Sequence, residues 1–302
     1  LLLYPCVLLH SHRPDCRQRH IHDYGFRSCR YLCIRNDVEG YFLFNYHWNS
    51  NRATGGVDYG SYCDHTSFQA YFKDKGRRGE IEMKVLVTGA SSGIGRASAL
   101  LFLERGHEVY GLDKKPQSIQ NPGYSHFVGD ITLPSTLPSL PGIDILVCSA
   151  GVQDSPDDID VNLKGTINTV EKYGIRENIR SILIIASASA HTGAEFPLYS
   201  ASKGGLLSYM RNVAMRISPY GATCNSLSPG GVKTELNRPV MEDSNLWQKI
   251  MDLTPLKKWA EAEEIAEWVY FLTVINRSAT GEDFLVDNGE TNLNHHFIWP
   301  EK

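Results

Sequence analysis

From about Met83 onward the apolar residues fall into short unbroken runs and helical stripes, and before it they follow neither pattern. Val85-Leu86-Val87 is a continuous apolar run of the kind carried by a parallel strand buried on both faces. Ile94 to Arg105 has the apolar spacing of a helix, and Gly106 suits its C-terminal stop. His107 to Asp113 predicts a second strand, and Ser181 to Ser187 another. Between Asp130 and Asp144 stand three prolines, Pro134, Pro138 and Pro141, which oppose a full helix, so this crossover is expected to be abbreviated. The segment from Gly151 to Asn162 is also short. No strand alternation, helical period or repeat persists through residues 1–82.

The first strand and helix enclose a glycine-rich turn, Thr88-Gly89-Ala-Ser91-Ser92-Gly93-Ile94-Gly95. Bare backbone N–H groups and a helix N-terminus attract a pyrophosphate, and the strand before and helix after supply the context that a lone glycine pattern lacks. The second strand ends in Asp113, where a carboxylate can accept both ribose hydroxyls of adenosine and would repel a 2′-phosphate. This favours NAD. Lys114 and Lys115 next to it keep NADP open, and an Asp that merely caps the following turn is the plain alternative.

Tyr199 and Lys203, in Tyr199-Ser-Ala-Ser-Lys203, lie one helical turn apart and so on one face of a helix. A free tyrosine titrates near ~10, and a neighbouring ammonium is one way to hold a usable phenolate near neutral pH. The spacing alone is common; a solvated Lys beside a half-buried Tyr would show it too.

Loop, acid and Tyr/Lys pair together resemble the short-chain dehydrogenase/reductase family, in its single-domain subgroup with TGxxxGxG and YxxxK motifs, from about Met83 to about Asn292. The resemblance implies an α/β doubly wound Rossmann fold, a parallel sheet of about seven strands flanked by helices, here with a shortened crossover before the fourth strand. It also implies cofactor contacts for Gly89, Ser91, Ser92, Gly93, Ile94 and Gly95, for Asp113, and for Asp130 and Ile131 at the adenine. Ala150 and Gly151 follow, in Cys148-Ser149-Ala150-Gly151, which stands where the family has Asn-Asn-Ala-Gly and has lost both Asn residues. Pro229, Gly230, Val232 and Thr234 would lie at the nicotinamide end, and Tyr199 and Lys203 would touch the cofactor as well. Asn162 matches the Asn that kinks a helix and holds a water in a proton relay to the catalytic Lys. The run Pro255 to Leu272, then Thr280 to Gly289, is similar to the family's last helix and strand.

The family also places a Ser at the end of the strand before the Tyr, usually thirteen residues ahead. Counting back meets Ala186; aligning from the strand instead selects Ser187, with one residue lost from the loop before Tyr199. A loop deletion costs little beside the loss of a hydroxyl that polarises a carbonyl. Ser187 is therefore the expected third catalytic residue, with Ser189 as the fallback and ordinary strand-end hydroxyls as the alternative. The resemblance thus implies a catalytic set of Ser187, Tyr199, Lys203 and Asn162, with no metal, that transfers a hydride between a nicotinamide and a secondary alcohol or ketone.

The chain of 302 residues carries a net charge of −4 with 21% charged residues, which argues against a nucleic-acid surface. No run reaches the ~18 apolar residues of a membrane span, so cytoplasmic residence is the default. Five of the seven cysteines and six of the eleven histidines precede Met83. Three readings compete for residues 1–82: a metal or disulfide module, a targeting segment, or sequence outside the working protein. Cys29 and Cys33 lack the Cys-x-x-Cys spacing of zinc sites, and Leu1 to Leu9 lacks a basic n-region. The third reading is favoured, with Met83 as the start of one Rossmann-type domain over 83–302. Cys148 and Cys224 read as small buried hydrophobes, Glu261 to Glu267 as the solvated face of a helix, and Trp247, Trp259 and Trp268 as packing residues. The resemblance implies a homodimer or homotetramer. A non-catalytic nucleotide-binding sensor or scaffold is the alternative function, motivated by the Ala186 met on counting back from Tyr199 and by the lost Asn pair.

Overall fold

The computed structural model describes residues 82–293 apart from Glu195. The predicted N-terminal extension therefore lies outside the described residues, save for Glu82 at its end.

The run Lys84–Thr88 forms β1, Gly93–Glu104 the helix α1, and Glu108–Asp113 the strand β2. β3 spans Tyr124–Val128 and β4 spans Ile145–Cys148. A wide π turn at Ile159–Gly165 then leads into α2, Thr166–Tyr173. β5 is Ser181–Ile185, α3 the short helix Ser189–Thr192, and α4 the long helix Pro197–Ile217. β6 is Thr223–Pro229, followed by β7 at Val232–Lys233, α5 at Arg238–Glu242 and α6 at Ser244–Leu253. β8 is Ala260–Glu261, α7 is Ala262–Tyr270 and β9 is Asp283–Val286.

Seven strands form one sheet in the order β3-β2-β1-β4-β5-β6-β9, every neighbouring pair parallel. Parallel strands need both faces covered, and the buried residues accordingly divide into two clusters. Val85, Val87 and Val109 pack with Phe102, Ile265 and Val269 on one face. Leu86, Leu146 and Ile184 pack with Val170, Leu206, Met210 and Val213 on the other. Strand order reverses between β1 and β4, so the segments after these two strands flank one crevice at the carboxyl edge of the sheet.

The crossover from β3 to β4 holds a single 3₁₀ turn, Pro134–Thr136. Leu137 and Ile143 turn inward and fill the layer a helix would occupy. The irregular backbone leaves carbonyls that no helix satisfies. Side chains from α2 and the loop after it take them up: Lys172 on Leu137, Tyr173 on Pro138 at 2.6 Å and Asn178 on Ile143 at 2.9 Å.

The run expected to form the last helix from Pro255 becomes helical only at Ala262. Lys257 adopts φ +54 in the lead-in, and Glu261 and Glu264 form a capping box that fixes the later start. Glu263 and Glu267 are exposed, as the acidic face predicted, and Trp259 is buried edge-on against Trp247. Cys148 and Cys224 are buried, and burial pushes the Cys148 thiol up to about 12.

Candidate active site

The glycine turn after β1 is shaped by contacts that exclude a side chain. Gly89 has φ +70, and a Cβ there would lie 2.8 Å from the Ala150 Cα. A Cβ on Gly95 would stand 2.2 Å from the Gly89 carbonyl oxygen. Gly93 has φ +51, and its missing Cβ would meet Thr234 Cγ2 at 3.4 Å. The turn thus lies against the segment after β4 on one side and beside Thr234 on the other. Ser92 caps α1 without any side-chain hydrogen bond, which leaves the first-turn donors of Gly93, Ile94 and Gly95 to an outside acceptor. A pyrophosphate fits that cradle.

Asp113 sits at the end of β2 with its carboxylate already oriented. One oxygen accepts the Ser91 N–H at 2.9 Å, and the other accepts the Lys115 N–H at 2.9 Å. The turn-capping role and the tie to the glycine loop therefore coexist, and each oxygen keeps a further lone pair. Ser91 Oγ donates to the Pro116 carbonyl at 3.0 Å. Lys114 points away to Asp130, with its ammonium 2.9 Å from the carboxylate.

Asp130 is partly exposed and holds Thr132 through both N–H and hydroxyl. Burial acts to raise its pKa, but hydrogen bonds from Lys114 and Thr132 outweigh it and hold the carboxyl below its usual range. Ile131 turns inward against Gly165, and its carbonyl accepts from Asn168 at 2.9 Å. Its side chain is committed to the core.

Where the Asn pair is lost, Thr88 on β1 supplies a hydrogen bond: its hydroxyl accepts the N–H groups of Ser149 at 3.1 Å and Ala150 at 3.2 Å. At the far end of the crevice, the Pro229 carbonyl accepts the Ala188 N–H at 2.8 Å, and the Gly230 N–H donates to Val286 at 3.0 Å. Val232 is buried and paired with Ala260, and its carbonyl accepts from Asn237 at 2.8 Å.

The four expected catalytic residues come from three elements. Tyr199 and Lys203 share the N-terminal part of α4, with the ammonium 5.6 Å from the centre of the phenol ring. Lys203 is 6% exposed and donates to the Ile185 carbonyl at 3.0 Å. Burial lowers its pKa to about 8, against a rise caused by the Asp158 carboxylate. Ser187, just past β5, is buried with its hydroxyl 3.0 Å from that of Ser189. The two candidate serines thus form one hydroxyl pair. Asn162, in the π turn, is fully buried and locks the Val152 peptide by accepting its N–H at 2.8 Å and donating to its carbonyl at 2.9 Å. Its amide also reaches Ser202 Oγ at 3.1 Å. Gly151 sits between these groups: a Cβ there would be 3.0 Å from Asn162 Oδ1 and 3.6 Å from Lys203 Nζ.

Three contributors escaped the sequence reading: Thr88, Ser202 and Asp158. Thr88 had a signal as the first residue of the TGxxxGxG motif, and Asp158 had one because Ser155-Pro-Asp-Asp158 has capping-box spacing. Among the described residues no cluster of three His, Cys, Asp or Glu could hold a metal, and no helix is long and apolar enough to cross a membrane.

The parallel sheet and its glycine turn define a Rossmann-type fold, with Ser187 just past β5 and Tyr199 and Lys203 on the helix α4 that follows. A family described as "Enoyl-(Acyl carrier protein) reductase" matches residues 135–291. The glucose 1-dehydrogenase of Gluconobacter oxydans is 30% identical over 244 residues, 69% of this chain and 91% of that protein. The L-rhamnose 1-dehydrogenase (NAD(P)(+)) of Azotobacter vinelandii is 28% identical over 247 residues, 69% of this chain and 96% of that protein. The solved structure of a 4-hydroxyisoleucine dehydrogenase complexed with NADH superposes with a TM-score of 0.65 at 26% identity, covering 70% of this chain and 100% of that one. The chain belongs to the short-chain dehydrogenase/reductase family and is an oxidoreductase.

Proposed function

We propose that the protein is an NAD(P)-dependent dehydrogenase or reductase interconverting a secondary alcohol and a ketone, with Tyr199 as general acid/base. The observation that carries this reading is the buried Lys203 ammonium, 5.6 Å from the Tyr199 ring and bonded to the Ile185 carbonyl two residues before Ser187. When bound, the nicotinamide takes up or returns the hydride. In the oxidation direction the Tyr199 phenolate removes the hydroxyl proton and Ser187 hydrogen-bonds the same oxygen; reduction reverses these roles. Lys203 lowers the phenol's pKa by its charge and holds the nicotinamide ribose, while Asn162 secures the Val152 peptide and links the site to a proton relay.

NAD is the favoured cofactor. The oriented Asp113 carboxylate supports this, as does the engagement of Lys114 by Asp130, which removes one cation from the reach of a 2′-phosphate. Relatives named for glucose and L-rhamnose support a polyhydroxylated substrate as the first class to try. We read residues 83–302 as one domain that works in the cytoplasm as a homodimer or homotetramer.

Tyr199→Phe should lower kcat about 10²- to 10⁴-fold, the usual contribution of a positioned acid/base, with NADH affinity unchanged by fluorescence titration. Turnover at the wild-type rate on sugars, polyols and simple ketones, with either cofactor, would remove Tyr199 from the mechanism.

A further inference from the structure

Asp158 is a buried carboxylate that the mechanism above does not use. It is 1% exposed and stands one helical turn before Asn162. One oxygen accepts the Ser155 N–H at 3.3 Å, completing a cap in which the Asp157 N–H donates to Ser155 Oγ at 3.2 Å. The other oxygen, Oδ1, is buried without a hydrogen-bonding partner among the described residues. Capping explains half of the carboxylate. A buried anionic oxygen left unpaired is costly unless an opposite charge compensates for it.

That opposite charge stands on α4. Lys203 Nζ and Asn162 Oδ1 lie on the same side of Gly151, within 3.6 Å and 3.0 Å of the position of its missing Cβ. Asp158 is buried one turn before Asn162, whose amide oxygen reaches the same point beside Gly151 as the ammonium. The other charged or titratable groups nearby do not compete. Asp154, Asp157, Asp160 and Lys164 of the same segment are exposed, the last two paired at 2.6 Å. β4 presents Cys148, a neutral thiol, and β5 offers the Ile185 carbonyl. α4 itself adds Tyr199.

We propose that Asp158 is a positioning residue of the active site, the buried counter-charge that keeps Lys203 an ammonium. This rests on the reading that Lys203 acts as a cation beside Tyr199. The electrostatics run the same way: burial strips charge from Lys203, and the Asp158 carboxylate opposes it. The cap holds the carboxylate in place, with one oxygen tied to the Ser155 N–H while Oδ1 stays buried.

The test is an NMR titration of the Lys203 ammonium in the full chain labelled with ¹⁵N-lysine and assigned with Lys203→Arg. The wild-type midpoint is expected at about 8. Asp158→Asn keeps an oxygen for the Ser155 N–H and removes the charge, so the midpoint should fall by about one unit or more, a tenfold loss of proton affinity. The alkaline limb of kcat/KM should move to lower pH in step. Ser155→Ala, which loosens the cap and leaves the carboxylate, should lower Tm without moving the midpoint. A wild-type midpoint in Asp158→Asn overturns the proposal and leaves Asp158 a cap. Should the Asn variant not fold, Asp158→Ser, whose hydroxyl can accept the same N–H, carries the same expectation. The readout needs no turnover, so an active Tyr199→Phe would end the proposed function and leave this titration to stand or fall on its own.

Discussion

The two halves of the crevice are built by different means. Around the glycine turn the shape is made of backbone, through Gly89 and Gly95, which approach other backbone too closely for a side chain. Around Tyr199 and Lys203 it is made of buried polar side chains arriving from the π turn, the end of β5 and α4. The first half is a steric cradle and tolerates almost no added volume. The second is an electrostatic assembly, sensitive to charge more than to size.

The steric half should break first and hardest. Gly95→Ala puts a carbon 2.2 Å from the Gly89 carbonyl oxygen, so turn and helix must separate. NADH affinity should fall by about 100-fold or more, the effect of withdrawing several backbone donors from one anion at about 1.5–3 kcal/mol each. Wild-type affinity in a fluorescence titration would show that the turn does not hold the cofactor.

In the other half, one hydroxyl should matter more than its neighbour. Ser187→Ala should lower kcat about 10²-fold, as expected for losing one donor to a charged oxygen, and Ser189→Ala less than about tenfold. The reverse ranking in steady-state kinetics would transfer the role to Ser189, which shares the hydroxyl pair.

The smallest expected effect sharpens the contrast between function and stability. Folding lowers the Lys203 pKa from 10.5 to about 8, so between those values the unfolded chain binds the proton more tightly and stability rises with pH. Below pH 8 the buried ammonium costs up to about 3 kcal/mol. Lys203→Met removes this titration, so wild-type stability relative to the variant should rise as pH climbs from 8 toward 10, read by denaturant unfolding. A difference that stays constant across that range would mean that folding leaves the Lys203 ammonium at its ordinary pKa.

Much of the cradle was legible because its rules are local. A strand, three spaced glycines and a helix can be read along the chain, and the approach of Gly95 to Gly89 is local, whereas Gly89 and Gly93 face Ala150 and Thr234 from distant parts of the chain. Tyr199 and Lys203 were legible for the same reason, one helical turn fixing their relation. The packing of Ile131 against Gly165, which turns its side chain into the core, could not be read from its position along the chain. The start of α7 was displaced because the Glu261 and Glu264 cap outweighed the apolar pattern that began at Pro255.

By itself, the sequence determined the alternation of buried strands and helices, the glycine turn, the Asp113 position and the Tyr/Lys face, all set by short-range periodicity and sterics. Only the tertiary structure decided that Thr88 would hold the segment after β4, that Ser187 would meet Ser189, and that Asp158 would lie buried near Lys203. Those relations depend on which distant elements share the interior. There, loss of solvent gives a charge or hydrogen bond a strength that its place in the chain does not reveal.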